Sequence, residues 1–381
     1  MDFLLGEADL RGRGGGKWTR YPPDVLPAFV ADMDFRVAPA VQRALVHFTD
    51  TQDYGYGQMT DAEGLYAAFA EWMQRRHGWS PDPALTVANT DVVQGIVSML
   101  VAFTEPGDGV IVQTPIYPPF LMFTAKTGRR LVENPLLDDG SRYAVDLEGL
   151  ERVAAGARVL LLCNPHNPTG RVLERAELEG IARIAAEHEL LIVADEIHAD
   201  LVYPGSSHVP METIPGAAER TVTLTSATKG FNIAGARASL AHFGSAELKL
   251  RFEAAVADRL LGGPSRFGLA ATIAAWREGE AWLGEVMRYL DGNRRRVAEW
   301  ARTMALGHHL PEATYLAWLD CRRLELPEES SPYDYFLERA KVGLSQGSDF
   351  GEASRGFVRL NFATSAEILE EILARLGSVL D

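Results

Sequence analysis

Lys229 lies in the stretch TSATKGFNIAGAR, residues 225–237, directly after the apolar run TVTL. Ser226 precedes it by three positions and Arg237 follows it by eight. On base rates alone such a lysine is a solvated charge. At the end of a buried strand, flanked by a hydroxyl and a guanidinium, it is a candidate nucleophilic amine able to form a Schiff base with a carbonyl. Three other apolar runs also end in reactive groups. VIVQTP is followed by Tyr117, VLLLC by Asn167, and LLIVA by Asp195 and His198. If these runs are neighbouring parallel strands, their carboxyl ends share one rim, where open α/β sheets bind ligands.

An amine, a carboxylate, an amide, an imidazole, a hydroxyl and an aromatic ring on one rim suit pyridoxal 5'-phosphate (PLP). That cofactor needs a lysine for its aldehyde and an acidic partner for its pyridinium nitrogen. It also needs a donor to its ring oxygen, a flat group over the ring, and an anion cup for its phosphate. Lys229 is the Schiff-base candidate and Asp195 the pyridinium partner, the alternative for Asp195 being a turn or helix cap. Asn167 fits the ring oxygen, against a plain turn asparagine before proline. Tyr117 fits the ring face, against an ordinary core tyrosine. Ser226 and Arg237 offer a hydroxyl and a guanidinium fork for phosphate. Gly95 and Ile96, read as the start of a helix, offer backbone N–H groups with room for close approach. Arg359, a lone cation in the apolar run GFVRLNFAT, is either a salt-bridged structural residue or a bidentate clamp for a substrate carboxylate.

These groups need a scaffold. From about residue 60 strand-like and helix-like segments alternate: GVIVQTP, ARVLLLCNP, LLIVADE and ERTVTLTS among helices such as EGLYAAFAEWMQRRHG and ERAELEGIARIAAEHE. That alternation predicts an α/β domain with a largely parallel sheet, and near-continuous apolar strands predict helices on both faces. Beyond about residue 275 a long helix over 281–304, then TYLAWLDC, GFVRLNFAT and a last helix, predict a smaller α+β domain. The domains are read as 45–278, and 1–44 with 279–381. The first forty-odd residues, with RGRGGGK and a Pro-Pro pair, read as an irregular, flexible arm. RGRGGGK lacks the spacing and preceding strand of a dinucleotide loop.

The 381 residues carry a formal charge of −15, which disfavours nucleic acid and anionic lipid as partners. Cys163 and Cys321 make no disulfide framework, and no signal peptide or membrane-length apolar run is present, so a cytoplasmic location is expected. The nine histidines show no metal-ligand spacing, so no metal is expected.

Taken in order, KWTRYPPDVLPAFVADMDF, YGYG, TEPGDGVIVQTPIYPPF, NPHNPTGRV, ADEIHADLVY, SATKGFNIAG and FVRLNFATS resemble the MalY/PatB family of cystathionine β-lyases, within the fold-type I PLP-dependent transferases. The resemblance spans nearly the whole chain. It implies a large domain built on a seven-stranded, mostly parallel sheet. It gives Lys229, Asp195, Asn167 and Tyr117 the roles above, with Ser226 and the backbone at Gly95 and Ile96 on the phosphate. It places His198 where related aminotransferases carry a tyrosine, and Arg359 on the α-carboxylate of a small amino-acid substrate. It also implies a homodimer in which Tyr56 reaches the phosphate of the neighbouring subunit. Two positions depart from the pattern. Gly230 stands where the family usually has Thr or Ser, and Arg237 is a feature shared with the aminotransferases. The expected activity is β-elimination from cystathionine or another cysteine S-conjugate, giving a thiol, pyruvate and ammonia. Transamination is the alternative.

Overall fold

The four runs read as strands lie side by side and parallel in one sheet, in the computed structural model that describes residues 3–57, 60–256, 262–327 and 330–380. From edge to edge the seven strands are Thr86–Asn89, Ser239–Phe243, Thr221–Thr225, Leu191–Asp195, Ala157–Cys163, Gly109–Val112 and Arg130–Glu133. Only Ser239–Phe243 runs antiparallel to its neighbours. The central strands are apolar along their whole length because both faces are covered. One face packs Val110, Val112, Leu161 and Val193 against the helices Val92–Phe103 and Ala246–Ala255. The other packs Leu160, Leu162 and Ile192 against Leu147–Ala154 and Arg175–Glu187. The helix Arg175–Glu187 starts at a reciprocal capping box formed by Glu174 and Glu177.

A second, antiparallel sheet runs Gly307–His308, Leu316–Asp320, Phe357–Asn361, Ser345–Gln346. Helices Glu280–Thr303 and Ala366–Gly377 bury their apolar faces in the core that it shares. The expected boundary at 278/279 falls in the break between helices Arg266–Glu278 and Glu280–Thr303, whereas the one at 44/45 falls inside the helix Pro39–Thr51.

The N-terminal arm departs from expectation. It is not loose. Leu26–Pro27 pairs in parallel with Val342–Gly343, and Asn361 sends its amide N–H groups to the carbonyls of Val30 (2.6 Å) and Asp32 (2.7 Å). Lys17, at the end of RGRGGGK, is buried and donates to Asp34 at 2.7 Å, where the Trp18 indole also donates. Asn232, three residues past Lys229, accepts from Met33 N–H and donates to the carbonyls of Met33 and Phe35. Partners 16 to 331 residues apart in sequence hold this segment, which is why its irregular composition misleads.

Candidate active site

Above the carboxyl ends of the central strands lies a cleft of about 390 Å³ bordered by the arm and by the strand Phe357–Asn361. Lys229, Asp195, Asn167, Tyr117, His198, Arg237 and Arg359 all line it. The sheet register explains the convergence. Cys163 pairs with Asp195 and Asp195 with Leu224, so these strands end level and their following loops meet on one rim.

The Lys229 side chain is half-buried, and its amine donates to the Ala31 carbonyl of the arm at 2.8 Å. Burial pulls its pKa below the usual lysine value, opposed by the charges of Asp32 and Asp195. Asp195 is buried and takes one backbone N–H, from Ile197 at 3.1 Å. Desolvation lifts its carboxyl to about 7. Its neighbour Glu196 faces the opposite way, into a buried pair with His208 at 3.1 Å. His198 is buried with Nδ1 unpartnered, its ring edge-on to Tyr315 at 6.3 Å. Desolvation holds that imidazole down at about 3, so it is neutral at ordinary pH.

Arg359 enters from the smaller sheet. Its guanidinium donates to Asn167 Oδ1 (2.9 Å), the Phe29 carbonyl (2.9 Å) and Ser345 Oγ (3.1 Å), and lies over the Phe350 ring at 4.9 Å. Among the described residues no carboxylate forms a salt bridge with it, which removes the structural ion-pair reading. Asn167 accepts from Arg359 through Oδ1, leaving its NH2 end as a donor. Arg237, at the mouth, is two-thirds exposed and pairs with Asp91.

The class I and II aminotransferase family model matches residues 30–376, most of the chain and every residue of this cleft. The chain belongs to this family. Within the family it is 39% identical to a putative cystathionine β-lyase of Mycobacterium leprae, over 97% of this chain and 96% of that one. It is 36% identical to the cystathionine β-lyase PatB of Bacillus subtilis, over 94% and 93% of the two chains. A crystal structure of a putative PLP-dependent β-cystathionase from Corynebacterium diphtheriae superposes with a TM-score of 0.93 at 34% identity, covering 100% and 99% of the chains.

Gly95, Ile96 and Ser226, read from the sequence as phosphate contacts, stand differently in the structure. The helix expected to begin near Gly95 and Ile96 begins at Val92, capped by the Asp91 carboxylate on Gln94 N–H at 2.8 Å. Gly95 N–H is already bonded to Asp91 O at 3.0 Å, and Ile96 is 1% exposed in the core. Gly95 is small for another reason: a Cβ there would meet the Leu224 side chain at 3.1 Å. The N–H groups without an intrahelical acceptor, and the cleft lining, belong to Val92 and Val93. Ser226 donates to the Ala238 carbonyl at 2.6 Å and accepts from Thr228 N–H, so its hydroxyl is occupied, and Thr228 is the residue on the cleft wall. Tyr56 is fully exposed and outside the cleft lining of its own chain. Sequence reasoning missed Asp91, Thr228, Ala31, Ser345 and Tyr315. Asp91 alone carried a local signal, since aspartate followed three residues later by glutamine marks a helix start.

Proposed function

We propose that the protein is a PLP-dependent carbon–sulfur β-lyase that cleaves cystathionine-like cysteine S-conjugates into a thiol, pyruvate and ammonia. The observation that carries this reading is the meeting of a half-buried amine, a buried carboxyl and a guanidinium with no ion pair among the described residues in one cleft, in a chain whose relatives are named cystathionine β-lyases.

The residues fit the cofactor on their unmet needs. Asp195 is a buried carboxyl with one backbone donor, and a pyridinium nitrogen is the cation that would draw its raised pKa back down. His198 Nδ1 is orphaned, and the NH2 of Asn167 is available to a ring oxygen. Tyr117 borders the cleft as a flat face. Val92 and Val93 N–H, Thr228 and Arg237 form the anion cup, with Ser226 supporting Thr228. When bound, PLP supplies an electron sink for the bond broken at the substrate's Cα.

The chain's own groups do the rest. Lys229 is the amine that would hold the cofactor. Burial favours the neutral form of its free amine, the form that takes the Cα proton as general base. Arg359 offers its fork to the substrate carboxylate and so fixes the Cα–H direction, while Asn167 and Ser345 hold the guanidinium in plane. The arm carbonyls at Phe29 and Ala31 accept from Arg359 and Lys229 and so tie the arm to both groups.

The reading extends to a cytoplasmic homodimer with Tyr56 at the neighbouring phosphate. Exposed Val46, Tyr54, Tyr56 and Phe267 support a contact surface there, and no helix among the described residues is long and apolar enough to cross a membrane. Light scattering tests the dimer.

The purified protein is expected to bind PLP with a visible absorbance band and to release pyruvate and thiol from cystathionine with no keto acid added. A strict requirement for a keto acid acceptor would instead assign transamination, and failure to bind PLP would sink the reading altogether.

A further inference from the structure

We infer that Asp91 is the positioning residue of the anion cup, one carboxylate that holds the helix N-terminus and Arg237 at a set distance from each other. The sheet brings these two halves together. The edge strand Thr86–Asn89 and its antiparallel neighbour Ser239–Phe243 pair Asn89 with Ser239. Asp91 lies just past the first strand and Arg237 just before the second, so they share one end of the sheet, and both line the cleft. The backbone between Arg237 and its strand is pinned as well, because the Ala238 carbonyl accepts from Ser226 Oγ at 2.6 Å.

The two oxygens of Asp91 are divided between the halves. Oδ1 accepts from Gln94 N–H at 2.8 Å, and Oδ2 accepts from the Arg237 guanidinium. Gln94 Oε1 in turn accepts from Thr90 N–H (2.7 Å) and from the Thr90 hydroxyl (2.8 Å), which locks the residue before the cap. The particular N–H that is capped matters. Asp91 takes the third N–H of the helix, and its carbonyl takes that of Gly95 at 3.0 Å. That leaves the N–H groups of Val92 and Val93, both residues of the cleft lining, for an anion. Arg237 is a long, two-thirds exposed side chain, and an untethered one must lose its rotamer freedom before it can serve a ligand. Tied to Asp91, it is preorganised beside those N–H groups. A carboxylate whose charge is met by a guanidinium and an N–H buttresses the cup rather than opposing a phosphate.

The inference rests on the PLP reading and on Arg237 serving the phosphate. The test titrates apoprotein with PLP and, separately, with pyridoxal, which lacks the phosphate, and follows absorbance. The proteins are wild type, Asp91→Asn, Asp91→Ser, Arg237→Ala and each Asp91 variant combined with Arg237→Ala. Asn and Ser both keep a helix cap while losing the ion pair. Each is expected to raise the PLP dissociation constant about fivefold, the reach of an exposed ion pair, and to leave that of pyridoxal unchanged. Added to Arg237→Ala, neither is expected to weaken PLP further. A PLP constant that stays level or falls in the cap-keeping variants overturns the proposal. So does an equal rise for PLP and pyridoxal, or an undiminished effect of the Asp91 change once Arg237 is gone. If Asp91→Asn does not fold, Asp91→Ser carries every comparison. Arg237→Ala that binds PLP as tightly as wild type overturns the cup, and the proposal with it. Wild-type protein that takes up no PLP defeats the cofactor reading itself, a result distinct from all of these.

Discussion

Replacing Asp195 with Asn should act in opposite directions on the two forms of the protein. In the apoprotein the carboxyl sits at about 7 because burial disfavours its charge. The unfolded chain has it near 3.9. Between those values the folded state holds a proton that the unfolded state has lost, so stability falls as pH rises through that window. The shift of about 3 units corresponds to about 4 kcal/mol lost at pH 8, and about 1.5 kcal/mol at pH 5. An amide of the same shape escapes the penalty. Apo Asp195→Asn should therefore be more stable than apo wild type in urea, by about 4 kcal/mol at pH 8, shrinking towards pH 5. With PLP bound the order should reverse, since the carboxylate then has its cation and the amide does not. Paired urea titrations at pH 5 and 8, with and without PLP, read both signs. An apo variant less stable than wild type at pH 8, or a difference that does not grow from pH 5 to 8, would refute the reasoning about Asp195.

Arg359→Lys keeps the charge but loses the fork that serves Asn167, Phe29 and Ser345; kcat/KM should fall about 100-fold, mainly through KM. An unchanged KM in steady-state assays would count against a carboxylate clamp. Arg237→Ala removes a largely exposed pair with Asp91, so apoprotein melting should shift by less than about 1 kcal/mol in stability. The PLP dissociation constant, measured by absorbance titration, should nonetheless rise about tenfold. Asn361→Ala deletes two donor bonds to the arm and one acceptor bond from Ala363 N–H, and urea unfolding should show a loss of about 3 kcal/mol.

The parts of this site legible in the sequence are those set by local chemistry. Apolar strands ending in Tyr117, Asn167, Asp195 and Lys229 declare a rim, because strand ends in a covered parallel sheet have one place to go. The helix expected to start at Gly95 and Ile96 starts three residues earlier, at Val92, and Gly95 is small because it packs on Leu224. Asp91 and Gln94 held the correction in their spacing. The arm was illegible for a different reason. Its order comes from carbonyls meeting Asn232, Asn361 and Tyr315, and backbone acceptors leave no mark on residue type.

Arg359 and Asn361 stand two apart on one strand, and alternate residues of a strand share a face. The first lines the cleft, the second grips the arm, and the arm's Ala31 carbonyl grips the lysine. Arg359 and Lys229, the ligand anchor and proton carrier of the proposed reaction, are thus joined in series through a segment that looks like a tail. Trimming the first 34 residues would accordingly be a lesion in catalysis rather than the loss of an appendage.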